Sequence, residues 1–380
     1  MVSNFLGRRN FLFRVSAALG GIGLLADSAA PGFAFTAAKE KDPKKEERYK
    51  ECVTKGLEWL AKQQSRDGHF EAFTGGYPIS MTALSGMALL MEGSTIRDGK
   101  YRENIRRACD YLMQRSSPNG LIGNPNIPGE AGRYTYGHGF ALLFLSSVYG
   151  EEEESDRRKK LEDILTRAAK FTRDAQTNRG GWGYVSAKEG NNFDEGSVTV
   201  TQIQSLRAAR NAGIVVPPDA IKDAIKYLKD STNSEGGVIY SLGMGGRSDG
   251  RPALTAAAIC CGFSTGDYNS ELVKRWFKFC QLHLKNIGGP RMGHDEYTLY
   301  YFAQAVYMLG EDGWEKLFPG TPVADRIVWS KYRDETFDVL LRTQQADGSW
   351  PGQQAGPVFS TAVYLATMQL DNAILPIYQR

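Results

Sequence analysis

Two kinds of apolar pattern alternate along this chain. In the first, apolar residues recur on one helical stripe with lysine and glutamate opposite: Val53, Leu57, Leu60 and Ala61 stand at i, i+4, i+7 and i+8, and Ile221, Ala224, Ile225 and Leu228 form a second such stripe. That spacing predicts amphipathic helices with one buried face. In the second, the runs are apolar on nearly every side: Ile79 to Met91, Tyr136 to Val148, Val198 to Ala212, Ala253 to Phe263, Tyr297 to Leu309 and Phe359 to Leu370. A helix that is apolar all round is buried all round.

A polar, glycine-bearing loop precedes each run of the second kind. The loops read Arg66-Asp67-Gly68-His69-Phe70, Pro118-Asn119-Gly120-Leu121-Ile122, Gly180-Gly181-Trp182-Gly183-Tyr184, Gly236-Gly237-Val238, Gly288-Gly289-Pro290 and Asp347-Gly348-Ser349-Trp350. Between the markers Gly68, Gly120, Gly180, Gly236, Gly289 and Gly348 the spacing runs from 52 to 60 residues, with a mean of 56. Self-similarity at such a period is the mark of a repeat architecture. Six amphipathic helices around six buried ones predict an all-α fold, an α/α toroid of six helical hairpins. Closing the ring removes the ends that an open solenoid must cap with polar repeats.

The N-terminus reads as an address. Gly7-Arg8-Arg9-Asn10-Phe11-Leu12-Phe13, a weakly apolar stretch from Val15 to Leu25 and small residues near Ala34 and Ala38 form a twin-arginine signal pattern over residues 1–38. The expectation is an exported protein, periplasmic or otherwise extracytoplasmic, with a charged linker over 39–48 and a single toroid domain over 49–380. No segment approaches the roughly 18 uninterrupted apolar residues of a membrane helix, so no span is expected in the mature chain.

Composition changes this picture little. A net charge of +3, with no basic cluster interleaved with aromatics, argues against nucleic acid as a partner. The runs Lys39 to Arg48 and Glu151 to Arg158 flip sign every few residues, as solvated linkers do. Cys52, Cys109 and Cys280 fall in helical patterns, and the adjacent Cys260 and Cys261 are badly placed to bridge each other. Small buried thiols are the expected reading of all five.

In such a ring the inner helices run the same way, so their N-terminal ends collect at one face, each with unpaired N–H groups and partial positive charge. That face can attract an anion. The pattern places Tyr134, Tyr136, His138, Asp194, Glu195, Arg247, Asp249, Arg251, His294, Asp295, Glu296 and Tyr297 there. Each has a plain structural role: Asp194, Glu195 and Asp295 as helix caps, His138 as a hydrogen-bonded core residue, Arg247 and Arg251 as partners of Asp249. Two carboxylate pairs converging with aromatics on one cavity nevertheless point to chemistry. Asp194 and Asp295 are the catalytic candidates; Tyr136, His138, Glu195, Arg251, His294, Tyr297, Tyr300 and Tyr301 are the substrate-binding candidates. The four histidines, His69, His138, His283 and His294, show no metal spacing, and neither a metal nor a cofactor is expected.

The Gly-x-Trp loops and the stretch Gln344-Gln345-Ala346-Asp347-Gly348-Ser349-Trp350 resemble the glutamine–tryptophan repeat of squalene and hopene cyclases and of protein prenyltransferase β-subunits. The resemblance covers all six units, from about Lys50 onward. Within that superfamily the stretch Tyr297-Thr298-Leu299-Tyr300-Tyr301-Phe302 to Gly313-Trp314 looks like exported single-domain planctomycete members. The resemblance implies the toroid, and it implies that Gln344 or Gln345, with Trp350, ties an outer helix to the following loop.

It does not carry the superfamily's catalytic motifs with it. No two aspartates lie closer than four positions, so both Asp-x-Asp-Asp and Asp-Asp-x-x-Asp are absent. The helix starts that would hold a prenyltransferase zinc read Arg251-Pro252-Ala253-Leu254-Thr255-Ala256 and Asp295-Glu296-Tyr297-Thr298, with Thr298 where the resemblance implies a histidine. Three functions stay open: an isoprenoid-handling enzyme in which Tyr136, Tyr297, Tyr300 and Tyr301 line an apolar cavity and Asp194 or Asp295 donates a proton; a non-catalytic toroid binding a lipid or a protein partner; and a glycan-active enzyme using Asp194 and Asp295 as acid and base.

Overall fold

The computed structural model describes residues 42–127, 130–244, 249–284, 295–353 and 355–379. Helices follow in pairs: α1 (Pro43–Lys62) and α2 (Pro78–Met91), α3 (Arg102–Gln114) and α4 (Tyr134–Tyr149), α5 (Ser155–Asp174) and α6 (Gly196–Asn211), α7 (Pro218–Asp230) and α8 (Pro252–Thr265), α9 (Glu271–His283) and α10 (Asp295–Leu309). A short α11 (Gly313–Leu317) then interrupts the rhythm before the last pair, α12 (Trp329–Thr343) and α13 (Pro357–Met368). The inner ring runs α2, α4, α6, α8, α10, α13 and back to α2, each packed on the next. The chain is therefore an all-α toroid, as the two patterns predict. Every residue of α2 is buried, whereas α3 buries a single stripe of Ile105, Ala108, Cys109, Tyr111, Leu112 and Met113.

The repeat loop works by close approach. Gly180 has φ +92°, and a Cβ there would stand 2.2 Å from the Asp223 carbonyl of the next outer helix; at Gly348, φ +96°, it would stand 2.5 Å from the Lys55 carbonyl. Only glycine lets the loop touch its neighbour's backbone. A glutamine completes each such joint. Gln176 Nε2 donates to the Gly180 and Ala220 carbonyls at 2.7 and 3.0 Å, Gln64 Nε2 to Gly68 and Asn104 at 2.8 and 2.9 Å, and Gln344 Nε2 to Gly348 and Cys52 at 2.9 and 2.8 Å. Gln344, rather than Gln345, thus carries the motif, and it does so across the seam where the last unit meets α1.

That seam also explains a correction. The charged residues 43–48 are not linker: Asp42 caps α1 by accepting from Lys44 N, and the first turns are helical. Their charges are used, because buried Arg333 on α12 grips Glu46 with two bonds of 2.8 and 2.7 Å and Asp371 with a third of 2.6 Å. A second correction concerns α7, whose buried face is Ala220, Ala224, Tyr227 and Leu228 while Ile225 is exposed. All five cysteines are buried free thiols, and burial raises the pKa of each. Residues 1–38, Arg247, the fifth loop around Gly289 and His294 lie outside the described residues.

Candidate functional site

Contacts between successive units bring the inner-helix N-termini to one face. Thr135 N donates to the Tyr184 carbonyl at 3.2 Å, Gly196 N to Tyr240 at 3.0 Å, and Phe73 N to Ala355 at 3.4 Å. The protein supplies its own anions to part of this face. The buried Glu130 carboxylate accepts from Ile79 N at the start of α2 at 2.8 Å, and Glu195 caps α6 by accepting from Val198 N at 2.9 Å. Glu296, in the first turn of α10, accepts from Gln353 N at 3.0 Å and leaves Oε2 buried without a partner. The expected vacant anion site is therefore already filled at α2 and α6.

Glu195 is the centre of the constellation. Its Oε2 accepts from Val198 N at 2.9 Å, Ser197 Oγ at 2.5 Å and Tyr136 Oη at 3.3 Å. Burial nevertheless prevails and raises its pKa, since desolvation penalises the charged form more than these donors favour it. Tyr136 also meets Ser197 Oγ, and its ring stacks on Tyr184 at 5.9 Å. Tyr297 reaches the Ser197 carbonyl at 3.4 Å from α10 and packs on Tyr301 at 4.6 Å. The hydroxyls of Tyr184 and Tyr240 hydrogen-bond each other. Burial, with the Glu195 charge behind it, raises the pKa of Tyr136, Tyr184 and Tyr297. Arg133 lies 4.8 Å from the Tyr184 ring and Arg251 5.5 Å from the Tyr240 ring. Tyr136, Tyr184, Tyr240 and Tyr297 are half-buried, which leaves an aromatic surface over the acid.

The other predicted site residues divide differently. Asp194 is 0% exposed and saturated: it accepts from Tyr227 Oη at 3.0 Å, Leu242 N at 2.7 Å, Gly243 N at 3.0 Å and Arg179 Nη1 at 3.4 Å. Those bonds pin the loop before α8. Asp194→Asn is accordingly expected to destabilise the fold by about 1.5–3 kcal/mol, because an amide cannot accept on both sides; chemical denaturation checks it, and an unchanged midpoint would contradict the loop-pinning role. Asp295 opens α10 half-buried, and neither a hydrogen bond nor an ion pair holds its carboxylate among the described residues.

His138 is a core residue. Its Nδ1 accepts from Ile122 N at 3.1 Å and its Nε2 faces Thr172 Oγ1 at 3.0 Å. In four other units the same bond runs from the loop to a threonine: Phe70 N to Thr82, Trp182 N to Thr199, Val238 N to Thr255 and Trp350 N to Thr361. Tyr300 is likewise occupied, its hydroxyl 2.7 Å from that of Tyr378 in the C-terminal segment, while the Tyr301 hydroxyl is buried without a partner. Tyr184, Tyr240 and Arg133 were not among the expected site residues. A signal existed, since each tyrosine stands four residues after its loop glycine, Gly180 or Gly236. Among the described residues no three metal-ligating side chains stand together, and no helix is long and apolar enough to cross a membrane.

No protein family model matches this chain. Human lanosterol synthase is 34% identical to it over 90 residues, which are 22% of this chain and only 12% of that protein. The type II terpene cyclase MstE from Scytonema, in complex with geranylgeranyl dihydroxybenzoate, superposes with a TM-score of 0.53 at 14% identity, covering 87% of this chain and 99% of that one. The α-1,6-mannanase GH76A of Salegentibacter sp. HEL1_6 superposes with a TM-score of 0.60 at 10% identity, over 86% and 99% of the two chains. The chain thus has the toroid of the terpenoid cyclase and prenyltransferase-like proteins, a fold shared with a glycan hydrolase.

Proposed function

We propose that this protein binds an isoprenoid on the aromatic face of its inner ring and that Glu195 is the acid that protonates it. The observation carrying this reading is the buried, pKa-raised Glu195 carboxyl, held by donors that all fall on Oε2, beneath the half-buried rings of Tyr136, Tyr184 and Tyr297. Neither aspartate offers the same combination, since Asp194 is spent on its loop. A carboxyl kept protonated by burial is a modest acid, better matched to an oxygen lone pair than to an unactivated alkene. An oxygenated isoprenoid is the substrate class that follows, with tyrosine faces beside any cationic centre. We further propose that the Gly7-to-Phe13 pattern directs export, which places the protein outside the cytoplasm.

Glu195→Gln is expected to stay folded, since the amide oxygen can still accept from Val198 and Ser197, while turnover falls by roughly 10²–10⁴. Native mass spectrometry of protein from its own host, with lipid extraction, identifies the compound to assay. Unchanged turnover in the variant would remove Glu195 from the chemistry, and a co-purifying partner chain would favour a scaffold instead.

A glycan-active enzyme is the second reading, favoured by the adjacent carboxylates of Asp194 and Glu195. Inactive variants of the mannanase have two neighbouring aspartates replaced. A bound oligosaccharide in the same mass spectrum would put this reading first.

A further inference from the structure

We propose that Arg133 and Arg251 grip the anionic head, a carboxylate or a phosphate, of an acid-headed isoprenoid. This rests on the isoprenoid reading and narrows its substrate class. Arg133 immediately precedes α4 and Arg251 immediately precedes α8, the two inner helices that flank α6 and its Glu195 cap. Each guanidinium lies over a tyrosine ring, at 4.8 Å for Tyr184 and 5.5 Å for Tyr240, and the two tyrosine hydroxyls are bonded to each other. The four side chains therefore form one connected ladder across the mouth of the ring. Both arginines are exposed, and among the described residues neither guanidinium has a carboxylate or carbonyl partner. Asp249, the partner expected from the sequence, is exposed and does not pair with Arg251.

The choice of residue is what needs explaining. A helix N-terminus is itself partly positive, so carboxylates, hydroxyls and amides are the favoured neighbours there and a cation is disfavoured. On α6 the rule is obeyed by Glu195; on its two neighbours it is broken. An arginine stacked by its face still presents an edge of in-plane N–H donors, the geometry that engages carboxylate or phosphate in two parallel bonds. Both departures make electrostatic sense once a negative group arrives at the mouth. The half-buried rings of Tyr136 and Tyr297 then meet an apolar body attached to that group.

The test is calorimetric titration of the full chain with three compounds that share a geranylgeranyl chain: the alcohol, the carboxylic acid and the monophosphate. The acid or the phosphate is expected to bind at least about tenfold tighter than the alcohol, the worth of one charge-assisted pair, and the advantage should shrink with added salt. Whichever of the two binds tighter identifies the head. R133Q and R251Q should each cut that advantage several-fold, and the double variant should abolish it, with alcohol affinity and melting temperature unmoved. Equal binding of acid, phosphate and alcohol would overturn the clamp and leave the isoprenoid reading standing. Binding by none of the three would overturn both. Variants that melt earlier yet keep the acid-to-alcohol ratio would mark the arginines as structural and also overturn the clamp.

Discussion

Trp350→Ala is expected to lower the stability of the ring by about 3–5 kcal/mol, the range for removing a fully buried large aromatic. Trp350 is 0% exposed, its indole N–H donates to the Leu340 carbonyl at 2.8 Å, and its ring meets Tyr364 edge-on at 5.9 Å. Its place makes the truncation worse than area alone implies, because Gly56 of α1 packs against the same ring. The seam between last and first units is otherwise held by few groups: Gln344 on Cys52, Gly348 on Lys55, Arg333 on Glu46 and the Tyr49 hydroxyl on Asp338 at 2.7 Å. Removing the indole opens a cavity beside these contacts and orphans a buried carbonyl. Trp350→Phe separates the two effects, keeping most of the apolar volume and leaving only the unsatisfied Leu340 oxygen, at about 1–3 kcal/mol. Trp182 makes the equivalent bond to the Thr172 carbonyl at 2.6 Å away from the seam, so Trp182→Ala is the matched control. Urea denaturation of the three variants decides it; a loss under about 1 kcal/mol for Trp350→Ala would mean that the seam closes without it.

The ring was legible because its physics is periodic. Helices α2 and α13 begin within two residues of the apolar runs that announced them, since residues buried on all sides leave no polar face to blur the edge. The stripe on α7 was misread by one position for a local reason: Tyr227, polar at its tip, turns inward to reach Asp194, and Ile225 is left facing solvent. The site was legible as a place but not as a set of roles. Asp194 and Glu195 are indistinguishable as neighbours in a sequence, yet the backbone sends one into a loop of donors and the other under the tyrosines. Which carboxylate is saturated depends on the fold of Ser241 to Gly243, and no periodicity encodes that. His138 was ambiguous for the converse reason, because only alignment of the units in space shows that threonine does its work elsewhere.

Acidification should weaken this fold chiefly through His138. Burial holds its pKa down at about 3, against 6.5 for an exposed imidazole, so the folded protein keeps the ring neutral. The Nδ1 atom is already an acceptor for Ile122 N, and protonating it would break that bond as well as bury a charge. The sign follows from linkage. Above pH 6.5 the ring is neutral in both states and the full stability is present; below 6.5 the unfolded chain takes up a proton that the folded chain refuses. Stability then falls by about 1.4 kcal/mol per pH unit, or about 4–5 kcal/mol by the time pH reaches the folded value. Glu130 and Glu195 act the other way: burial raises both, so their contribution is complete below about 4.5 and is lost as pH rises through their folded values. Between 4.5 and 6.5 the two tendencies oppose, and a variant is needed to isolate the histidine. His138→Thr is the natural one, because threonine makes the same bond in four other units and cannot titrate. It is expected to cost about 1–3 kcal/mol at pH 7, since the imidazole also packs on Phe171 at 4.8 Å, while the acid slope becomes shallower by one proton. Urea midpoints at pH 7, 5.5 and 4 for both proteins measure that slope, and identical slopes would show that His138 takes no part in it.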